Sequence, residues 1–175
     1  MAEAMEAASF EGRASKGREG KYLTFSLAGE EYGIGILKVK EIIGLMEITR
    51  VPQTPSYVKG VINLRGKVIP VVDLRAKFGL EAEECTERTC VVVVEVARES
   101  GQVLIGSVVD SVSEVLNIKE GEIEDTPDFG VNLDTRCIMG MAKAGSGIKI
   151  LLDIDSVLGN DELTALPLRG SGKES

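Results

Sequence analysis

The amino-acid sequence predicts an all-β fold with a few short helices, in which one pattern of strands occurs twice. Short runs rich in Val and Ile alternate with glycine-containing turns along the central part of the chain. Aromatic residues make up only 4% of the 175 residues and Trp is absent, so the core must be aliphatic. Many short strands joined by tight turns are typical of small barrels or of a β-sandwich.

The first strand signal is the alternation of Leu23, Phe25 and Leu27 with Tyr, Thr and Ser, which predicts a half-buried strand. Further strand-like runs occur in pairs around short turns, and we expect each pair to form a hairpin. The paired runs are 22–27 with 32–36, 57–64 with 67–72, 89–96 with 102–109, and 137–143 with 148–152.

Two short helices are predicted, each directly after a strand. In both, an Asp stands where it can accept a hydrogen bond from the first turn, and a Gly stands where the helix must end. The helices are 74–78, between Asp73 and Gly79, and 154–158, between Asp153 and Gly159.

An internal duplication organises these elements. Five motifs recur in the same order, and the members of each pair are 72 to 80 residues apart. The pairs begin at Gly33 and Gly106, Val39 and Val112, Thr54 and Thr126, Gly60 and Gly140, and Val71 and Leu151. The sequence therefore predicts a flexible tail at 1–20, β-barrel repeats at 21–87 and 88–162, and a second tail at 163–175. Each repeat is near the lower size limit of a stable domain, so we expect the two to pack together, with a possible exchange of strands.

The charge pattern bears on the choice of partner. The formal net charge is -8, which disfavours a nucleic-acid-binding barrel, as does the shortage of aromatic residues for stacking on bases. Residues 38–77 contain eight Lys or Arg against three Asp or Glu, whereas 78–130 contain three against thirteen. This contrast indicates either two differently solvated faces or two surfaces that meet different partners.

A catalytic function finds little support in the sequence. The chain contains no His, so the commonest general base and metal ligand is missing. An enzyme that uses Asp73, Asp110 and Asp153 is the alternative, but we interpret each of them as the cap of a helix or turn. We therefore expect no catalytic residues, no metal ligands and no cofactor.

The cysteines and the apolar segments indicate the compartment. There are three cysteines, at positions 85, 90 and 137, and no C-x-x-C pair, so neither a disulfide framework nor a zinc site is predicted. No run of apolar residues is long enough to span a membrane, and the first 20 residues lack an apolar signal core. We expect a cytoplasmic protein with reduced thiols.

The most distinctive stretch is Asn63-Leu64-Arg65-Gly66-Lys67, which places Arg65 at a turn between two apolar strands. It is either a solvated hairpin tip or an exposed arginine that forks onto a carboxylate of a partner. Together with Glu31-Tyr32-Gly33-Ile34, Val39-Lys40-Glu41-Ile42-Ile43 and the remainder of Gly60–Arg75, it resembles the CheW family of bacterial chemotaxis coupling proteins. The likeness extends over 21–163.

The resemblance implies two five-stranded SH3-like β-barrels, packed side by side. It also implies an adaptor without catalytic activity, which links the cytoplasmic tips of chemoreceptors to the regulatory domain of the histidine kinase CheA at membrane-bound receptor arrays. A scaffold for a CheA-like pathway other than motility is the alternative. The family's receptor contacts fall on Val39, Gly60, Arg65 and Val115, and its kinase contacts on Glu41, Ile42 and Phe129. Glu124 departs from relatives that carry a basic residue there, which predicts a weaker contact beside Phe129.

Overall fold

The structure, a computed structural model, describes residues 17–99, 101–127, 137–145 and 147–159. Within these ranges the strands form one sheet of five strands and one of six. The strands are β1 (Gly20–Leu27), β2 (Glu30–Gly35), β3 (Val39–Gly44), β4 (Val58–Leu64), β5 (Lys67–Asp73), β6 (Cys90–Arg98), β7 (Gly101–Val109), β8 (Ser111–Ile118), β9 (Ile123–Glu124), β10 (Ile138–Ala142) and β11 (Lys149–Leu152). The helices are α1 (Leu74–Lys77) and α2 (Ile154–Leu158), and 3-10 turns lie at Ile36–Lys38 and Glu120–Glu122.

The two sheets interleave the two halves of the chain. The five-stranded sheet has the order β3-β6-β7-β5-β4, and the six-stranded sheet has the order β9-β10-β11-β2-β1-β8. The hairpin β1–β2 therefore lies among the C-terminal strands, and the hairpin β6–β7 lies among the strands of the first half. The exchange of strands that the sequence allowed for is present. The repeats 21–87 and 88–162 describe the sequence pattern, whereas each sheet draws strands from both.

Each exchanged hairpin joins its sheet through one parallel pair of strands. Strand β2 lies parallel to β11 with Gly33 opposite Leu151, and β7 lies parallel to β5 with Gly106 opposite Val71. A Cβ atom on Gly33 would stand 3.1 Å from Leu151 Cδ2, and one on Gly106 would stand 2.8 Å from Val91 Cγ1. Both glycines thus leave room for the packing of neighbouring side chains. The motif pairs that lie in described strands correspond to equivalent places in the two sheets, and they begin at Gly33 and Gly106, Val39 and Val112, Gly60 and Gly140, and Val71 and Leu151.

The main hydrophobic cluster is built from both sheets and both helices, so it holds the exchanged arrangement together. A smaller cluster lies within each sheet. The fully buried members of the main cluster include Leu23, Phe25, Leu27, Val72, Leu74, Val94, Ile105, Ile154 and Leu158.

The first strand differs from its prediction, because both of its faces are buried over 22–25. Leu23 and Phe25 belong to the main cluster, while Tyr22 packs in the smaller cluster of the six-stranded sheet. Thr24 is fully buried and its hydroxyl donates to the carbonyl of Glu114 at 2.8 Å. Strand β1 lies between β2 and β8, and core residues cover both of its faces. The alternation of apolar and polar residues therefore did not produce the solvent-exposed face that a half-buried strand would have.

Both predicted helix caps are confirmed. The Asp73 carboxylate accepts from the amide of Arg75 at 3.0 Å, and the Asp153 carboxylate accepts from the amide of Asp155 at 3.2 Å. Asp110 was expected to cap a helix or turn, and its carboxylate accepts from the amide of Ala28, in the turn between β1 and β2, at 2.8 Å. It lies between β7 and β8, and its carboxylate binds groups that are distant in sequence, because the chain crosses from one sheet to the other at this point.

The folded body begins before the predicted boundary at residue 21. Arg18 donates to Glu120 Oε2 at 2.7 Å, to Asp125 Oδ1 at 3.0 Å and to the carbonyl of Met139 at 3.2 Å. Its side chain is 13% exposed, so the segment before β1 is anchored on the six-stranded sheet. The remainder of the two predicted tails lies outside the described residues.

Candidate functional site

Strand β3 forms one edge of the five-stranded sheet and carries three of the predicted contacts. Its only strand partner in the described structure is β6, and the register shifts between Val39 and Glu41. Burial then alternates along the strand, so that Ile42 points outward with 43% of its surface exposed while Ile43 packs in the sheet's own cluster. An apolar side chain on an open strand edge is suited to contact with another protein.

Arg65 stands at the tip of the β4–β5 hairpin and reaches back to strand β3. The turn is closed by Asn63, whose side-chain oxygen accepts from the amide of Gly66 at 2.9 Å, while Arg65 itself adopts a φ of 51°. The two terminal guanidinium nitrogens, Nη1 and Nη2, donate to the carboxylate of Glu41, and the Nη1–Oε2 distance is 2.9 Å. Hydrogen bonding from Arg65 lowers the pKa of the Glu41 carboxyl.

The fork of Arg65 is therefore occupied by a carboxylate of its own chain, whereas the alternatives from the sequence were a solvated hairpin tip and a carboxylate of a partner. The pair joins a predicted receptor contact to a predicted kinase contact. It is solvent-accessible, with 69% of the Arg65 side chain and 29% of the Glu41 side chain exposed. An exposed pair contributes little to stability, so we interpret it as a device that fixes the hairpin tip against β3.

Gly60 lies on β4, at the opposite edge of the same sheet, and is buried. Its φ is +141°, and a Cβ atom would stand 2.0 Å from the carbonyl oxygen of Thr49. Thr49 forms a bridge with Val61, which brings the segment after β3 against β4. The absence of a side chain at Gly60 is thus required by the close approach of two backbone segments.

Val115 lies in the other sheet, on the edge strand β8, and is 48% exposed. Strand β8 pairs with β1 as β3 pairs with β6, with a register shift at the corresponding place. Val115 lies opposite Leu23, and Ile42 lies opposite Val92. Val115 and Ile42 are therefore equivalent residues on the two edge strands, as the repeat in the sequence predicted.

The structure brings some of the predicted contacts together and separates others. Val39, Glu41 and Ile42 share one strand, and Arg65 joins them through its ion pair. Val115 belongs to the second sheet. Phe129 lies outside the described residues. Glu124 accepts from Lys143 Nζ at 2.5 Å, and both side chains of this pair are more than half exposed.

A second pair of exposed apolar residues was not identified from the sequence. Val68 at the start of β5 is 71% exposed, and Ile148, just before β11, is 56% exposed. Both positions follow directly from the offset between Val71 and Leu151 in the repeat. Each half thus presents an outward apolar residue near its hairpin tip, in addition to Ile42 and Val115.

Other kinds of site find no counterpart in the described ranges. No group of three His, Cys, Asp or Glu side chains there is arranged to hold a metal ion. Cys85 is exposed, whereas Cys90 and Cys137 are half-buried. None of the helices in the same ranges is long and apolar enough to cross a membrane.

Comparison with known proteins identifies the family. The model of the CheW-like domain matches residues 21–162. The chain belongs to the CheW family. The resemblance carried by the Asn63–Arg75 block is thus confirmed over nearly the whole folded body.

CheW proteins from several bacteria are similar along most of their length. The chemotaxis protein CheW of Klebsiella aerogenes is 42% identical over 143 residues, which cover 82% of this chain and 84% of the relative. The chemotaxis protein CheW of Helicobacter pylori is 36% identical over 141 residues, or 81% and 82% of the two chains. The crystal structure of the scaffolding protein TtCheW from Thermoanaerobacter tengcongensis matches with a TM-score of 0.71 at 34% identity, covering 82% of this chain and 95% of that chain.

The CheW fold agrees with the predicted class of two SH3-like β-barrels. The prediction gave five strands to each barrel, whereas one sheet has six. The additional strand is the two-residue β9, which pairs with β10. Its counterpart in the five-stranded sheet is the single bridge of Thr49 to Val61.

Proposed function

We propose that this CheW-family chain is a scaffold of bacterial chemotaxis, which couples the cytoplasmic tips of chemoreceptors to a CheA-type histidine kinase. The observation that carries the proposal is the match of the CheW-like domain to residues 21–162, together with similar proteins that are named as chemotaxis and scaffolding proteins. The protein acts in the cytoplasm at receptor arrays. It transmits signals through contacts alone, and no catalytic step or cofactor enters the proposal.

The kinase contact in this proposal uses the edge strand β3. Ile42 supplies an apolar anchor at the sheet edge, and Glu41 lies beside it, held by Arg65. An apolar centre surrounded by a polar rim is the usual arrangement of a protein interface. Phe129 is included on the strength of the family resemblance.

The receptor contact uses Val39, Gly60, Arg65 and Val115. Gly60 contributes by letting the segment around Thr49 approach β4, which shapes the surface without offering a side chain. Val115 offers the second sheet's equivalent of Ile42. A duplicated fold thus presents two related apolar edges, and the different charges of the two halves of the sequence would help partners to distinguish the two edges.

The test is a calorimetric titration of this chain with the isolated regulatory domain of a CheA-type kinase from the same organism. We expect one-to-one binding that is abolished by Ile42→Glu. Val115→Glu is the matched control, because it places the same charge at the equivalent exposed position of the other sheet. It should leave kinase binding within about twofold of the unmodified chain, since a substitution away from an interface has little effect on affinity.

Receptor binding is measured by pull-down with a chemoreceptor signalling fragment. Here Val115→Glu should abolish binding, and Ile42→Glu is the control that should leave it nearly unchanged. Arg65→Glu should weaken receptor binding by about 2–5 kcal/mol if the guanidinium is desolvated at the contact. Circular dichroism of each variant checks that the fold is retained. Equal loss of kinase binding in Ile42→Glu and Val115→Glu, or no kinase binding by the folded chain, would contradict this assignment of surfaces.

A further inference from the structure

Two clusters of ion-paired side chains, which we call latches, lie where the chain crosses from one sheet to the other. In the first latch, Arg75 of α1 donates to both carboxylate oxygens of Asp110, with an Nε–Oδ1 distance of 2.8 Å and an Nη2–Oδ2 distance of 2.7 Å. Asp110 lies between β7 and β8, and it also accepts from the amide of Ala28 at 2.8 Å. Arg75 further donates to the carbonyl of Glu81 and lies 3.9 Å from Glu83.

In the second latch, Lys38 donates from Nζ to Asp155 Oδ2 at 2.7 Å. Lys38 lies between β2 and β3, and Asp155 lies in the first turn of α2. The other oxygen of Asp155 accepts from the amide of Ala97 at 2.9 Å. Each latch thus joins a helix, a crossover and the end of a hairpin.

The two latches occupy equivalent places in the duplicated fold. Arg75 and Asp155 each stand two residues after the aspartate that caps their helix. Ala28 and Ala97 each stand at the end of an exchanged hairpin. In both latches the helix follows one strand of a parallel pair, and the crossover follows the other strand, so the two are brought side by side.

The polarity of the two latches is opposite. In the first latch the helix carries the cation and the crossover carries the anion, whereas in the second latch the helix carries the anion. In both latches the carboxylate accepts a hydrogen bond from a hairpin amide, that of Ala28 in the first and that of Ala97 in the second. This amide is therefore satisfied with either polarity. The groups are half-buried, with 12% of Arg75 and about a third of the other three side chains exposed.

This polarity distinguishes the observed fold from its closest alternative. If each half of the chain kept its own hairpin, β5 would pair with β2 and β11 would pair with β7. The helix α1 would then place Arg75 beside Lys38, and α2 would place Asp155 beside Asp110. Both contacts would join like charges, whereas the exchanged arrangement joins opposite charges twice. We propose that these four charges select the exchanged arrangement of strands.

A pair of reversals tests the proposal without changing the net charge. Arg75→Asp combined with Asp155→Arg makes both latches repulsive in the exchanged arrangement and attractive in the unexchanged one. Adding Lys38→Asp and Asp110→Lys reverses all four charges and restores attraction in the exchanged arrangement. We expect the double variant to melt roughly 4–8 °C below the natural chain, and the quadruple variant to recover most of that loss.

The pairing itself is read out by nuclear Overhauser contacts across the parallel strands, with Gly33 close to Leu151 in the exchanged fold and close to Val71 in the other. The quadruple variant should show only the first contact. Size-exclusion chromatography checks that each variant is a single chain, because two copies could also exchange hairpins.

An unchanged melting temperature in the double variant would overturn the proposal, as would a quadruple variant as unstable as the double. If the double variant fails to fold, the quadruple variant separates the two explanations. A packing defect caused by the substitutions would persist in it, whereas repulsion between like charges would be removed. Arg75→Asp with Asp110→Arg reverses the first latch alone and makes both arrangements attractive, so the contact of Gly33 with Val71 should appear beside its contact with Leu151. Failure of both this variant and the quadruple variant to fold would also overturn the proposal.

Discussion

At the scale of single residues, Gly60 illustrates how a position expected to meet a partner can serve the fold. Its left-handed φ and the nearby carbonyl of Thr49 leave no space for a side chain. A change at Gly60 would move the segment that follows β3, and any loss of binding would follow from that movement.

We therefore predict that Gly60→Ala lowers the free energy of unfolding by at least about 2 kcal/mol, through a backbone clash and an unfavourable φ. Urea unfolding measures this change. Gly44→Ala is the matched control, because an added Cβ at this exposed end of β3 meets nothing within 4 Å, and it should be nearly neutral. Equal effects of the two substitutions would show that the close approach at Gly60 is unimportant.

At the scale of elements, the duplication in the sequence located equivalent strands and helices, but not the sheet to which each belongs. The hydrophobic periodicity and the turn residues depend only on positions close together in the sequence. They correctly located the hairpins and the caps at Asp73 and Asp153. The partner of a strand depends on contacts between residues far apart, such as Gly33 with Leu151. The ion pair of Arg65 with Glu41 was missed for the same reason, because its two elements meet only in the folded chain.

The ion pair of Arg75 with Asp110, at the crossover between β7 and β8, predicts that the stability of the fold falls at acid pH. Hydrogen bonding from Arg75 lowers the pKa of the Asp110 carboxyl below its ordinary value of 3.8. A lowered pKa in the folded state means that the charged form stabilises the fold above the ordinary pKa, and that this contribution disappears as the pH falls through the folded value.

We expect Asp110→Asn to cost about 1–3 kcal/mol at pH 7, because the charged hydrogen bonds to Arg75 and Ala28 are weakened. The difference in stability between the two proteins should stay constant down to about pH 5 and shrink below the ordinary pKa of aspartate. Urea unfolding between pH 2.5 and 7 provides the measurement. A difference that persists undiminished at the acid end would mean that packing, and not charge, is responsible.

At the scale of the whole molecule, interleaving makes the two barrels interdependent. The five-stranded sheet needs β6 and β7 from the second half, and the six-stranded sheet needs β1 and β2 from the first. The main cluster also takes side chains from both sheets and both helices. The molecule should therefore unfold in one cooperative transition, although its sequence consists of two repeats.

We predict that a fragment of residues 17–87 does not fold alone, because its strands β3 and β5 lose their neighbours β6 and β7 and its helix α1 loses Asp110. Narrow amide dispersion in the proton spectrum would reveal the unfolded state. Mixing it with the complementary fragment 88–162 should restore native dispersion. A well-dispersed spectrum of the first fragment by itself would show that the repeat can close its own barrel.

The parallel pairing of β2 with β11 also has a consequence for the time course of synthesis. Glu31 and Lys149, which lie opposite each other, are more than a hundred residues apart in the chain. At roughly 5–20 residues per second, the first hairpin waits on the order of ten seconds after it leaves the ribosome before its neighbour exists. During that interval the edge of β2 that will pair with β11 lacks its partner, so we expect the nascent chain to need protection of this edge until β11 has been synthesised.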